Sequence, residues 1–494
     1  MPSQSMFSYP RNDLIAGTVV FLIALPLCLG IAIACGVPPI SGLIAGIVGG
    51  VIVPVWSRFP LSVTRPAAGL TSIVLFEVQR LGGIAPFLTA VILSGFLQML
   101  LGLLRTGKFS ALVPAAVIKG MLAAIGVIIV IKQIPVAVGV SGSLTEVLSG
   151  AHLGAGLIAL VSLGILYGWK KTPFGRFQFL PAALVVVVVG SVLASVFRDI
   201  PALALSEDLF VSVPLGGLEG LIQSVPRPDF SVILSAEVWI AALTIAVVAS
   251  IETLLSVQAV DRLDPLKRHS PPDRELVAQG AANAMSGLLG GLPVTAVIVR
   301  SGANLAAGER QRLSALTHGV WLLVAVLFLA GLLNQIPLAC LAAVLIQVGL
   351  NLAKPALFKG QLKLGWNQFF PFSITIAAVL GLDLLKGVII GIVAGLIFVM
   401  RQNTQGSLVK TVDADGTIRL RFSRDATFLL KPQLMSELDE LDDEAKVIIQ
   451  GTGEYIDQDI KDALAGFLED AHSRKIQVQL LDIDLGGAHA GGGH

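Results

Sequence analysis

From Leu14 to Met400 the chain passes through one apolar run after another, separated by short polar connections. No other feature restricts its folding as much. About 20 apolar residues in a helix match the thickness of a bilayer core. Lipid offers no partner for backbone N–H and C=O groups, so such runs are helical or are buried in protein. The first set reads Leu14–Ala34, Ile40–Val55, Pro66–Val78, Pro86–Leu104, Leu112–Ile131, Leu157–Trp169 and Leu180–Phe197. A polar stretch, Arg198–Asp229, follows. The second set reads Ile233–Val257, Leu276–Leu289, Val294–Ala306, Leu313–Leu333, Leu338–Leu352, Phe370–Leu382 and Gly387–Met400. Charged residues make up only 14% of the chain, against about 25% in soluble proteins. The expected fold class is therefore an α-helical polytopic membrane protein of about 14 spans, in two sets of seven.

Loop charge gives an independent count. With the N-terminus (1–13) inside, the cytoplasmic loops hold Arg58; Arg105 and Lys108; Lys170, Lys171 and Arg176; Arg262, Lys267, Arg268 and Arg274; Arg310 and Arg312; Lys354, Lys359 and Lys363. The opposite loops are poor in cations: Gln133–His152 has none, and Arg198–Asp229 carries Asp199, Glu207, Asp208, Glu219 and Asp229 against only Arg198 and Arg227. This is the positive-inside pattern and places both termini in the cytoplasm. The first run lacks a small-residue cleavage site and reads as a retained span. The expected location is a bacterial-type inner (plasma) membrane, with membrane lipid as a partner. The net charge of +1 makes no case for nucleic acid. Cys28, Cys35 and Cys340 lie in apolar runs and read as packing residues.

Two runs are broken, one in each set. Gly290-Gly291-Leu292-Pro293 interrupts the second set, and Phe59 to Thr71 carries Pro60, Pro66 and Gly69 in the first. Paired interruptions at corresponding places point to a transporter binding site and to an inverted repeat. A helix that begins inside the membrane exposes unpaired, partly positive N–H groups, and two such ends facing each other make an anion site. Ala67, Ala68, Ala296, Val297 and Ile298 are poor side-chain ligands, which suits capture by backbone N–H; tight packing of small residues is the competing reading. Thr71 and Ser72 offer hydroxyls, or bond their own backbone. Arg300 is an isolated cation with apolar sequence on both sides, either an anion ligand or an arginine at the water interface.

Glu252 stands inside the eighth run, where a carboxylate is costly and usually functional. Ser256 is one helical turn along the same face. Glu252 binds a proton, coordinates Na⁺ with Ser256, or pairs with Arg300; the sequence leaves these three open. No nucleophile–base pair or metal cluster stands in the apolar runs, so an enzyme is not expected, and no cofactor beyond a coupling Na⁺ or H⁺.

After Arg401 the composition turns polar. Thr417–Phe422, Lys446–Gln450 and Ile476–Leu481 read as strands, and Pro432–Glu440 and Asp457–Ser473 as helices. Residues 402–484 are thus expected to form a small cytoplasmic α/β domain, with a disordered Gly/His-rich tail at 485–494.

Several motifs in order resemble the SulP family of inorganic-anion transporters, relatives of prestin. They are Asp13-Leu14-Ile15-Ala16-Gly17, Pro66-Ala67-Ala68-Gly69-Leu70-Thr71, Ser250-Ile251-Glu252-Thr253-Leu254-Leu255-Ser256 and Val299-Arg300-Ser301-Gly302-Ala303-Asn304. The C-terminal segment resembles a STAS domain. The resemblance implies a 7+7 inverted repeat (about 14–197 and 233–400) with core and gate domains. It implies an anion, bicarbonate or sulfate first, held between spans one, three, eight and ten, and a homodimer. A secondary active transporter coupled to Na⁺ or H⁺ and working by an elevator-type movement is the expected function. A dicarboxylate/H⁺ symporter or an anion exchanger is the alternative, and a non-transporting motor or a nucleobase symporter shares the fold. Pro66 belongs to the implied site with Ala67, Ala68, Thr71, Ala296, Val297, Ile298 and Arg300. Three positions depart from the family pattern: Leu27 after Pro26 where Gln is common, Arg65 where Gly is common, and Tyr455 to Ile460 where the STAS turn carries serine.

Overall fold

The computed structural model describes residues 7–485 except 58–62, 67, 108–113, 141–143, 173–179, 265–267, 269, 298–300, 303, 306, 383, 405–407, 414, 423–425, 427–429, 452–455 and 484. The chain divides into two compact units, residues 1–363 with 372–391, and residues 364–371 with 392–494.

The first unit is helical. Its elements run α1 (Pro10–Ala34), α2 (Pro39–Trp56), β1 (Thr64–Pro66), α3 (Thr71–Arg80), α4 (Ile84–Leu103), α5 (Ala115–Ala137), α6 (Leu153–Gly168) and α7 (Ala182–Phe197). A short amphipathic helix, α8 (Gly217–Ser224), lies in the polar connection. Then come α9 (Ala236–Leu263), α10 (Pro272–Leu288), β2 (Val294–Ala296), α11 (Leu313–Phe328), α12 (Leu338–Leu352) and α13 (Pro355–Lys363). The helices α14 (Trp366–Gly381) and α15 (Leu384–Thr404) contribute to both units. Pro10, Pro39 and Pro272 each open a helix, where a missing N–H is no loss. Among the described residues, six helical stretches are long and apolar enough to cross a membrane.

Glycines let these helices close on one another. A Cβ on Gly126 of α5 would lie 2.5 Å from the Gly349 carbonyl of α12, and one on Gly349 would lie 2.6 Å from the Gly126 carbonyl. Gly95 of α4 and Gly280 of α10 meet in the same reciprocal way, at 2.5 and 2.6 Å from each other's carbonyl oxygens. Gly50 of α2 and Gly319 of α11 form a third such pair. In lipid, where apolar burial drives nothing, close backbone approach is how helices gain packing energy.

The two breaks are not simple half-helices. Residues 64–66 and 294–296 are extended and pair antiparallel, with Thr64 opposite Ala296, Arg65 opposite Thr295 and Pro66 opposite Val294. The expected helical starts at Pro66 and Val294 are thus strands; α3 begins only at Thr71, after a 3₁₀ turn over Ala68–Leu70. Extended backbone deep in the unit needs partners, and each segment supplies them to the other.

The second unit holds a sheet in the order β3 (Leu408–Val412), β4 (Ile418–Phe422), β5 (Lys446–Gly451), β6 (Gln477–Leu481). β3 and β4 pair antiparallel, and β4–β5 and β5–β6 pair parallel. Parallel neighbours need crossovers, supplied by α16 (Lys431–Asp439) and α17 (Gln458–Ser473). Leu420, Phe422, Val447, Ile449, Leu434 and Leu464 form its apolar core.

Candidate functional site: a buried strand pair and a membrane carboxylate

The strand pair is sealed from solvent: Thr64, Arg65, Pro66, Val294, Thr295 and Ala296 are all buried. Arg65, 0% exposed, is the bulkiest of the wholly buried side chains. Its place at the centre of β1 puts it inside the protein, and not among the loop cations.

Helix α10 holds the pair through one polar face. Glu275, Gln279, Asn283 and Ser286 recur at helical spacing, and all four are buried. The Gln279 Nε2–H donates to Thr64 Oγ1 at 2.6 Å and to Glu275 Oε1 at 3.1 Å. Asn283 clamps Val294 from both sides. Its Oδ1 accepts from the Val294 N–H at 2.6 Å, and its Nδ2–H donates to the Val294 carbonyl at 3.2 Å. Nδ2 also donates to Gln98 Oε1 of α4 at 2.8 Å. Ser286 donates to the Leu292 carbonyl at 2.6 Å and its own carbonyl accepts from the Gly291 N–H at 2.7 Å, fixing the turn before β2. Every one of these bonds satisfies a group that lipid or packing would otherwise leave costly.

A second helix, α9, brings the carboxylate. Glu252 is 9% exposed and packs on the turn that leads into α3: a Cβ on Gly69 would lie 2.6 Å from Glu252 Oε1 and 2.8 Å from Oε2. Only a glycine leaves that room. Beside Glu252 on the same helix, Ser250 Oγ and Thr253 Oγ1 are buried and make no hydrogen bond to a described residue. Ser256, one turn on, is buried as well. Further along, Val257 and Val260 pack against Ala296 of β2. One helix therefore touches both breaks.

The expected site residues fall as follows. Pro66 ends β1 and Ala68 begins the 3₁₀ turn. Thr71 is the first residue of α3, and its carbonyl accepts from Cys35 Sγ at 3.8 Å. Ala296 ends β2. The Val297 N–H is donated to the Val63 carbonyl at 3.3 Å, so it is already used. Ala67, Ile298 and Arg300 lie outside the described residues.

The polar face of α10 escapes a reading based on apolar runs. Its signal was nonetheless present as Glu275, Gln279, Asn283 and Ser286, each about one helical turn from the next, inside a segment otherwise rich in Ala and Gly. The first motif also has a structural role. Asp13 is buried, and its Oδ1 accepts from the N–H groups of Arg310 at 2.8 Å and Gln311 at 3.0 Å. A Cβ on Gly17, one turn away, would lie 2.5 Å from the Ser314 carbonyl. Asp13 and Gly17 thus dock α1 on the start of α11.

Comparison with known proteins follows the same lines. A Bacillus subtilis protein named "Putative sulfate transporter YvdB" is 28% identical over 411 residues, covering 81% of this chain and 75% of that one. The solved transmembrane domain of a cyanobacterial bicarbonate transporter, BicA, superposes with a TM-score of 0.67 at 25% identity, over 80% of this chain and 99% of that one. SLC26A9 superposes with a TM-score of 0.79 at 15% identity, over 98% of this chain and 86% of that one, a likeness of fold. The sequence matches the Sulfate permease family over residues 11–379. The chain is thus an integral membrane protein and not an enzyme, and it belongs to the Sulfate permease family of anion transporters.

Proposed function

We propose that this protein is a secondary active transporter of a small anion, bicarbonate or sulfate, driven by Na⁺ or H⁺. The observation that carries the reading is the contact of Glu252 with Gly69 at the turn into α3. First-turn N–H groups attract an anion. A carboxylate fixed beside them repels it unless a proton or a metal cation comes between. Cation and anion then raise each other's affinity by the same factor. The buried hydroxyl of Thr253, without a hydrogen-bond partner among the described residues, suits a Na⁺ ligand set completed by Glu252 and Ser256. The anion lies against the 68–71 turn, with Pro66 and Thr71 at its edge. Ala296 and Val297 form the opposite wall, Val297 by its side chain; Ala67, Ile298 and Arg300, outside the described residues, stay proposed anion ligands on the sequence reading alone. Arg65 adds a guanidinium to the strand pair.

The pairing of helices supports a 7+7 inverted repeat. Matching α1, α2, β1, α4 and α5 to α9, α10, β2, α11 and α12 exchanges the α2–α11 glycine contact with the α10–α4 contact. The same operation maps the α5–α12 contact and the β1–β2 pair onto themselves. Such a repeat suits a core that rocks or slides past a gate, the elevator-type movement. The mixed sheet and two crossover helices of the second unit support a STAS-like cytoplasmic domain at 402–484 that regulates or assembles the transporter. A homodimer in the inner membrane, with both termini cytoplasmic, completes the proposal.

Uptake of labelled bicarbonate, sulfate, chloride and fumarate into proteoliposomes, with Na⁺ and pH gradients varied separately, tests it. Arg300→Ala is expected to weaken anion binding and flux with the fold intact. Unchanged anion affinity in that variant removes Arg300 from the site.

A further inference from the structure

A cavity of about 530 Å³ lies in the first unit between α2, α8, α10 and α11. Its walls are Ile44 and Val48 of α2, Ile222 of α8, Leu288 and Leu289 at the end of α10, and Leu323 of α11. Its volume falls in the range of ligand clefts, about 300–1,000 Å³. One cation, Arg227, stands at its margin. Arg227 is exposed, lies between Pro226 and Pro228, and makes no hydrogen bond or ion pair with a described residue. Asp229, the nearest acid in sequence, is occupied with the N–H and hydroxyl of Ser231 at 2.9 and 2.6 Å.

The rim is apolar as well. Leu218 and Ile222 of α8 are 61% and 57% exposed, and Phe230 is 50% exposed. An amphipathic helix with such a face lies in a membrane interface and not in water. An apolar cavity, opening beside an interfacial helix and carrying one arginine at its margin, matches a molecule with an acyl chain and an anionic head. The guanidinium fork fits a phosphate better than a point charge does.

We propose that this groove binds one anionic glycerophospholipid, its acyl chain between α2, α10 and α11 and its phosphate on Arg227. The site adjoins the turn into β2. Ile44 touches Gly291, and a Cβ on Gly290 would lie 2.4 Å from the Pro226 carbonyl. A lipid seated here therefore braces the segment that sets the position of β2.

Native mass spectrometry of the detergent-purified full chain tests the proposal, titrated with phosphatidylglycerol, with phosphatidylethanolamine, and with glycerol 3-phosphate, which has a head and no chain. One phosphatidylglycerol is expected to stay bound at a concentration where phosphatidylethanolamine does not, and glycerol 3-phosphate is not retained. Arg227→Gln is expected to weaken that lipid about tenfold, equivalent to about 1.4 kcal/mol. Ile222→Glu, an exposed position, is expected to abolish retention by giving Arg227 an internal partner and wetting the groove. Both variants should keep the melting temperature of the unsubstituted protein without lipid. Equal retention of the two lipids, or phosphatidylglycerol binding unchanged in Arg227→Gln, overturns the assignment and leaves only annular lipid at this face. Retention of glycerol 3-phosphate as tight as the lipid also overturns it, because the groove would then contribute nothing.

Discussion

Under the proposed function, Glu252 separates a coupled transporter from a passive one. Glu252→Gln keeps the shape and removes the charge, so flux is expected to continue downhill without following a Na⁺ or H⁺ gradient. Counterflow with each gradient clamped in turn measures this, and a variant still driven by the same gradient would transfer the role elsewhere. Thr253→Val, nearly isosteric, tells the two cations apart: it lowers apparent Na⁺ affinity if Na⁺ binds there and changes nothing if a proton does. Gly69→Ala drives a methyl into the carboxylate and is expected to reduce uptake by tenfold or more, a loss of about 1.4 kcal/mol or greater in transport-competent binding. Glu309, in the connection before α11, gives a stability signature. Burial, and then the nearby Asp13 carboxylate and Asp264, hold its pKa well above the usual value, with the charge of Arg268 opposing them. An unfolded glutamate ionises near pH 4.3, about the model-peptide value. Between that pH and the raised native value the folded chain keeps a proton that the unfolded chain has lost. Stability therefore falls as pH rises, by about 1.4 kcal/mol per unit within that window. Glu309→Gln is expected to match the unsubstituted protein in thermal unfolding at pH 4 and to exceed it above pH 6; a constant difference across pH would contradict this.

At the scale of elements, the candidate site is a strand pair carried by α10 and touched by α9. Asn283→Ala strips the clamp from Val294 and leaves Gln98 without its donor. Each orphaned buried group costs about 1–3 kcal/mol, so a lowered melting temperature and lost uptake are expected together. Loss of uptake with unchanged stability would mean that Asn283 contacts the anion directly. The sequence made the helical elements legible because each apolar run carries its own signal, as in Leu14–Ala34 against the observed Pro10–Ala34. The two breaks were legible for the same reason: Gly290 to Pro293 interrupts a pattern. What the breaks become was not legible. Three residues at Thr64–Pro66 and three at Val294–Ala296 have no local strand signal, and their pairing is decided by partners far along the chain. The proximity of Glu252 to Gly69 is tertiary in the same sense. The α10 face was missed because Glu275, Gln279 and Asn283 weaken an apolar run without ending it.

For the whole molecule, the membrane helices and the segment after Arg401 have separable roles in this account. Truncation after Arg401 is expected to leave measurable uptake in a membrane unit that still purifies as a single folded species. Its complete loss from such a species would place the segment after Arg401 in the transport path. The central claim is that this member of the Sulfate permease family concentrates a small anion by spending a cation gradient through Glu252. Its most direct measurement is the steady-state accumulation of labelled bicarbonate, and in parallel of sulfate, in proteoliposomes under an imposed Na⁺ or H⁺ gradient. The account predicts that one of these anions accumulates above its equilibrium ratio, that collapsing the gradient releases it, and that Glu252→Gln only equilibrates it. Equal accumulation by Glu252→Gln and the unsubstituted protein, or a folded protein that never exceeds the equilibrium ratio with any of these anions and gradients, would contradict it.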